Sequence, residues 1–194
     1  MYEWIFWDND GVLVDTEPLY YRATAEVLHE AGFALSRSEF SEISLIRGES
    51  AFAGAEALLG PAEGERMRRD RDARYAGLLT GGVGPAAGVE ATLSALHGRA
   101  RMAIVTSCKR EHFELIHRRS GLLGYFDFIL TREDYRQPKP HPEAYLAALA
   151  RSGRAPQACL AVEDSERGVR AAVAAGLCCL ALPGELVGAV LGES

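Results

Sequence analysis

A chain of 194 residues, 48% hydrophobic and 25% charged, is long enough for one good core plus a modest insertion and calls for no disordered segment. Its formal charge is −6 and its arginines are interspersed with acids, as in Arg66-Met67-Arg68-Arg69-Asp70-Arg71-Asp72, so no basic stripe is offered and no nucleic-acid partner is expected. No run approaches the roughly 18 apolar residues of a membrane span, and Met1-Tyr2-Glu3-Trp4 carries no basic segment before an apolar one, so the expectation is a cytoplasmic protein with no membrane partner.

The first strand is expected at 4–7, the apolar run Trp4-Ile5-Phe6-Trp7, which leads into Asp8-Asn9-Asp10-Gly11-Val12-Leu13-Val14-Asp15-Thr16-Glu17. A carboxylate at the C-terminal end of a parallel strand sits where open α/β sheets bind ligands. A second, two residues on, can protonate a leaving oxygen and later activate water, and Gly11 permits the sharp turn that lets both reach one substrate. In isolation the same pair also reads as turn-forming aspartates before a glycine.

Residues 16–85 then read as helices. Thr16, with Pro18 in the first turn, opens one in which Leu19, Ala23, Val27 and Ala31 recur at i, i+4 spacing up to Gly32. Ser36-Arg37-Ser38-Glu39 is a capping box for a second, with Phe40, Ile43 and Ile46 on one face. A third covers 49–59 and breaks at Gly60-Pro61, and a fourth ends at Leu79 before the hinge-like Gly81-Gly82-Val83-Gly84-Pro85.

From there helical periods at 88–97, 109–120, 142–152 and 165–175 alternate with apolar runs at 102–105, 126–130, 159–162 and 178–182, and Gly121, Gly153 and Gly176 suit left-handed caps. This is the pattern of an α/β fold, a doubly wound parallel sheet covered on both faces. Thr106-Ser107 follow the run at 102–105. Pro138-Lys139-Pro140-His141-Pro142-Glu143 sets a lysine between prolines that restrict the backbone and aim the side chain; the only other lysine is Lys109, against 19 arginines. Glu163-Asp164 end the run at 159–162 as the paired acids a hard, oxygen-seeking Mg²⁺ takes, or as a solvated acidic turn before an Ser165 N-cap. Cys108, Cys159, Cys178 and Cys179 lack metal-ligand spacing and read as structural, with Cys108, beside Thr106-Ser107, the one to watch for reactivity. His112 and His117, five apart on one expected helix, read as surface residues.

In this order the four segments resemble motifs I to IV of the haloacid dehalogenase superfamily, in its phosphoglycolate phosphatase and β-phosphoglucomutase-like branch. The resemblance implies that Asp8 is a nucleophile forming an aspartyl-phosphate and Asp10 the general acid and base. It implies that Thr106 and Lys139 contact the phosphoryl oxygens, with Ser107 and the backbone of Asn9 adding to them, and that Mg²⁺ is held by Asp8, the backbone carbonyl of Asp10 and Asp164, with Glu163 a ligand or directly behind one. Residues 1–15 and 86–194 would form the catalytic core and 16–85 a small helical cap inserted after motif I. Arg47-Gly48-Glu49-Ser50 resembles the cap loop that contacts substrate in related enzymes, which makes Arg47, with Tyr20, a candidate for binding a small phosphorylated metabolite.

The closest rival within the family is a β-phosphoglucomutase-like mutase. Such enzymes typically carry a histidine after motif I where this chain has Tyr20, and a cap lysine, whereas no lysine occurs from 16 to 85; both differences favour hydrolysis. The missing lysine also argues against a phosphonatase Schiff base, and Asp10 against a dehalogenase, which needs no second acid. A silent binding module on the same fold is disfavoured by the intact Asp8, Asp10, Lys139 and Asp164. One departure from the family is the C-terminus, where only 185–194 follow the last expected strand.

Overall fold

Five short apolar runs pair into one parallel sheet in the computed structural model, which describes residues 2–182; the C-terminal departure at 185–194 lies outside the described residues. The strands are β1 (Trp4–Trp7), β2 (Arg101–Val105), β3 (Phe128–Leu130), β4 (Cys159–Glu163) and β5 (Cys178–Ala181), in the spatial order β3-β2-β1-β4-β5. All four residues of β1 are buried, as a central strand covered on both faces requires. Its neighbours are held in register by pairs such as Phe6 with Ala103 on β2 and with Ala161 on β4. Chain direction across the sheet switches at β1 and β4, and open α/β sheets bind ligands beyond the strand ends at such a point.

The chain divides into two compact units, one built from residues up to Asp15 and from Val83 onward, the other from Thr16 to Gly82. In the first, side chains alternate across the sheet. Trp4 and Phe6 point into a core closed by Tyr145 and Ala148 of α7 (Glu143–Ser152) and Ala171 and Ala172 of α8 (Glu166–Ala174). Ile5 and Trp7 point the other way, against Val89 and Leu93 of α5 (Val89–Leu96) and Phe113 of α6 (Arg110–His117). The same alternation carries past β1, so Asp8 and Asn9 leave the strand on opposite faces.

The expected elements appear with shifted ends. Helix α8 starts as read, with the Ser165 hydroxyl accepting the Gly168 N–H at 3.2 Å, and Gly153 caps α7 at φ 66°. Helix α6 stops at His117; Gly121, at φ 71°, instead opens a 3₁₀ turn at Leu122–Tyr125. Two side-chain expectations are corrected. His112 and His117, read as surface residues, are both buried, because Phe113, Ile116 and His117 form the inward stripe of α6. Cys178, read with the other cysteines as structural, is exposed on the edge strand β5, while Cys159 is buried; all four cysteines are free thiols.

The second unit is helical throughout. Helix α1 (Glu17–Glu30) has Pro18 in its first turn, α2 (Arg37–Phe40) carries the complete Ser36/Glu39 capping box, and α3 (Ala53–Leu59) and α4 (Pro61–Leu79) follow. The face expected to continue α2 instead widens into a π-helical turn, Ser41–Ile46. Val27, Leu28, Phe52, Ala55 and Met67 form its core, and no helix among the described residues is long and apolar enough to cross a membrane.

Burial holds the His117 imidazole down at about 4, below its ordinary value near 6.5. The unfolded chain therefore takes up a proton near pH 6.5 that the folded chain refuses until about pH 4, so this group's contribution is fully present above pH 6.5 and is lost as pH falls toward 4, by at most about 3 kcal/mol. Thermal melts at pH 7 and pH 5 should show a larger drop in Tm for the wild type than for His117→Gln, which does not titrate.

Candidate active site

Strand ends bring the four segments together within the first unit. Asp8 follows β1, its N–H donating to Val162 O of β4 at 3.0 Å. Thr106 follows β2, its N–H donating to Leu130 O at 3.0 Å, and Glu163 is the last residue of β4. The turn after Asp8 is tight: the Asn9 carbonyl accepts from the N–H groups of Val12, Leu13 and Val14 at 3.3, 2.8 and 3.1 Å.

Lys139 is the hub. Its Nζ donates to Asp8 Oδ1 at 2.7 Å, Glu163 Oε1 at 2.6 Å and Val105 O at 2.8 Å, and it lies 5.0 Å from the centre of the Tyr145 ring. All three ammonium donors are used on a side chain only 4% exposed. Burial alone would lower its pKa, but Asp8 and Glu163 more than reverse that and keep it a cation. The wholly buried Glu163 also accepts the Tyr145 hydroxyl at 2.6 Å; burial pushes its carboxyl up while Lys139 opposes the shift.

Asp10 and Thr106 lie beside this hub. Thr106 Oγ1 is 3.4 Å from Asp10 Oδ2 and accepts the Cys108 N–H at 2.9 Å, while the Tyr135 hydroxyl donates to Thr106 O at 2.9 Å. Thr106 is buried and Ser107 exposed. The Asn9 side chain points inward, its Oδ1 2.7 Å from His117 Nε2, so of this candidate only the backbone is left to meet a substrate.

Asp8, Glu163 and Asp164 offer carboxylate oxygens all within 4.8 Å of one another. Burial first, then the charges of Asp8 and Glu163, push the Asp164 carboxyl up to about 8, the condition a divalent cation would reverse. Two glycines make the approach possible. A Cβ on Gly11, at φ 79°, would lie 1.6 Å from Asp164 Oδ2, and one on Gly168 would lie 1.9 Å from Glu163 Oε2. The residues therefore fit Mg²⁺, with Asp8 and Asp164 as carboxylate donors and Glu163 turned toward Lys139.

The other two candidates belong to the helical unit. Tyr20 packs edge-on against Tyr75 at 5.1 Å and its hydroxyl accepts from Arg71, whose guanidinium lies 4.6 Å from the Tyr20 ring centre. Arg47 is exposed and paired with Glu42 at 3.6 Å and Glu49 at 3.5 Å. Sequence reading missed Tyr145, Tyr135 and His117. Tyr145 and His117 were visible as polar-tipped residues on the apolar stripes of α7 and α6, a position that asks where the polar tip goes.

Replacing Lys139 by Met keeps much of its bulk and leaves two buried carboxylates without their cation. Chemical denaturation at pH 7 should show a loss of about 3–5 kcal/mol, smaller at pH 5, where Glu163 of the variant is more readily protonated.

The sequence matches the haloacid dehalogenase-like hydrolase family over residues 5–182. It is 28% identical over 180 residues to the fructose-1-phosphate phosphatase YqaB of Escherichia coli (strain K12), covering 91% of this chain and 94% of that one. It is 31% identical over 184 residues to a phosphorylated carbohydrates phosphatase of Thermotoga maritima, covering 90% and 82%. The crystal structure of a CbbY mutant from Rhodobacter sphaeroides in complex with xylulose-(1,5)bisphosphate superposes with a TM-score of 0.79 at 26% identity, over 95% of this chain and 87% of that one. Sheet order, strand-end carboxylates and the match across nearly the whole length agree: the chain belongs to the haloacid dehalogenase-like hydrolases and is an enzyme of that family.

Proposed function

We propose that this hydrolase is a Mg²⁺-dependent phosphatase of a phosphorylated sugar or similarly small metabolite, acting through an aspartyl-phosphate on Asp8. The observation that carries the reading is the buried Lys139 on Asp8 Oδ1, with Asp10 on the same short turn. A carboxylate so held is aimed by a fixed cation.

In the first step the Asp8 carboxylate attacks phosphorus, the ester P–O bond breaks, and the proton of Asp10 goes to the leaving oxygen. In the second, Asp10, now a carboxylate, takes a proton from a water whose oxygen attacks phosphorus, releasing Asp8 and inorganic phosphate. Thr106 holds Asp10 and, with the exposed Ser107, sets hydroxyls beside the phosphoryl oxygens. Lys139 neutralises charge on Asp8 and on the group it receives. Mg²⁺, held by Asp8, Asp164 and the Asp10 carbonyl, supplies charge stabilisation of the phosphoryl oxygens. By its place in the sequence the helical unit is read as a cap, and Tyr20 and Arg47 are its candidates for binding the metabolite. The relatives named for phosphorylated carbohydrates support the substrate class. Tyr20 in the histidine's place and the lack of lysine across 16–85 support hydrolysis over isomerisation.

Asp8→Asn should lower kcat on p-nitrophenyl phosphate by on the order of 10³-fold or more. Asp10→Asn should slow an alkyl phosphate far more than p-nitrophenyl phosphate, whose leaving group needs little proton donation; equal slowing in a pre-steady-state assay would remove Asp10 from the acid's role.

Chelation with EDTA should abolish turnover and added Mg²⁺ restore it, with Asp164→Asn raising the Mg²⁺ requirement sharply. Full activity in EDTA would overturn the metal assignment. Among phosphorylated sugars, net release of inorganic phosphate is expected, and efficient isomerisation without release would replace phosphatase by mutase.

A further inference from the structure

Two side chains grip the Asp8–Asp10 turn from opposite faces of the sheet, and the motifs account for only one of them. Lys139 holds Asp8 from the face covered by α7 and α8. From the face covered by α5 and α6, His117 holds Asn9, the residue between the two reacting carboxylates.

The second grip is a directed chain of hydrogen bonds. The Leu122 N–H donates to Ser120 Oγ at 3.2 Å, Ser120 Oγ lies 2.9 Å from His117 Nδ1, and His117 Nε2 lies 2.7 Å from Asn9 Oδ1. An amide oxygen only accepts, so Nε2 carries the proton, Nδ1 is bare, and the Ser120 hydroxyl donates to it. Donors and acceptors then run one way, an arrangement in which each bond polarises the next. His117 is 4% exposed and its ring packs on Phe113 at 4.5 Å. Asn9 is wholly buried, and its Nδ2 has no hydrogen-bond partner among the described residues, so Oδ1 is the atom that fixes this side chain. Because the Asn9 carbonyl also gathers three backbone N–H groups, rotating Asn9 would disturb the turn that spaces Asp8 from Asp10.

We propose that His117 is a positioning residue for phosphoryl transfer: through Nε2–H to Asn9 it fixes the backbone that aims Asp8 and Asp10. The inference rests on the reading of those two aspartates as the reacting carboxylates. The neighbouring hydrophobes would accept a leucine in its place, which makes the imidazole's polarity the feature to test.

The test measures kcat and KM on p-nitrophenyl phosphate with saturating Mg²⁺ for the wild type, His117→Leu, His117→Gln, Asn9→Leu and the Leu/Leu double variant, with Tm for each. A misplacement of reacting groups by about an ångström costs up to roughly 10²-fold. His117→Leu should lose about 10- to 100-fold in kcat with KM within about 2-fold, while folded at the assay temperature. His117→Gln, whose amide reaches the same point with an N–H donor, should recover most of that loss. The double variant should be no slower than the slower single one, because both break one bond. If His117→Leu does not fold, Asn9→Leu carries its expected loss in kcat and His117→Gln should stay well above Asn9→Leu. A folded His117→Leu that keeps its kcat, or a glutamine variant no faster than the leucine one, would overturn the proposal alone. An inactive wild type would overturn the phosphatase reading and this inference with it.

Discussion

A buried ammonium between two buried carboxylates is the constraint on which the site depends. Lys139 reaches Asp8 of β1 and Glu163 of β4 at 2.7 and 2.6 Å and ties both to the last carbonyl of β2. Three strand ends are thereby fixed to one atom. Burying that much charge is costly, and attraction repays it only when geometry is good and the remaining donors and acceptors are met. Here they are met: the third ammonium proton goes to Val105 O, and Glu163 takes the Tyr145 hydroxyl as well. The cost falls on stability and the benefit on Asp8, which is held and aimed.

The fold is organised to make this possible. A β1 buried on both faces forces alternation on whatever follows it, so consecutive residues of the turn face different helical layers. Asp8 meets the layer that carries Lys139 and Tyr145, and Asn9 meets α6. Gly11 and Gly168 then contribute by what they lack. Each leaves the space a Cβ would take, and into that space come the carboxylates of Asp164 and Glu163.

Much of this was legible in the sequence, because strand-terminal carboxylates, a proline-flanked lysine and glycine caps are local signals. The five strands lie where apolar runs and turn residues put them, with β3 starting late because Asp127 is spent outside the strand, its carboxylate pairing with Arg101 and accepting the Met102 N–H. What was not legible is what long-range packing decides. The spacing of His112 and His117 argues against a shared metal, and that question hid the other one, that His117 with Phe113 and Ile116 forms the inner face of its helix. The Ser36/Glu39 box marks a helix start faithfully, yet says nothing of the extra residue per turn that opens the π-helical Ser41–Ile46. Tyr145 shows in the sequence as a polar tip on the apolar stripe of α7, but only the fold names its partner, Glu163.

The scarcity of lysine has a consequence outside catalysis. In a chain whose other cations are arginines, amine-directed reagents meet two side chains: Lys109, exposed at the start of α6, and Lys139, 4% exposed and fully bonded. The first is labelled in the native state, whereas the second becomes reactive only when the three strand ends part. The protein thus carries a built-in chemical clock, in which the rate of acylation at Lys139, set against that at Lys109, counts how often the heart of the sheet opens.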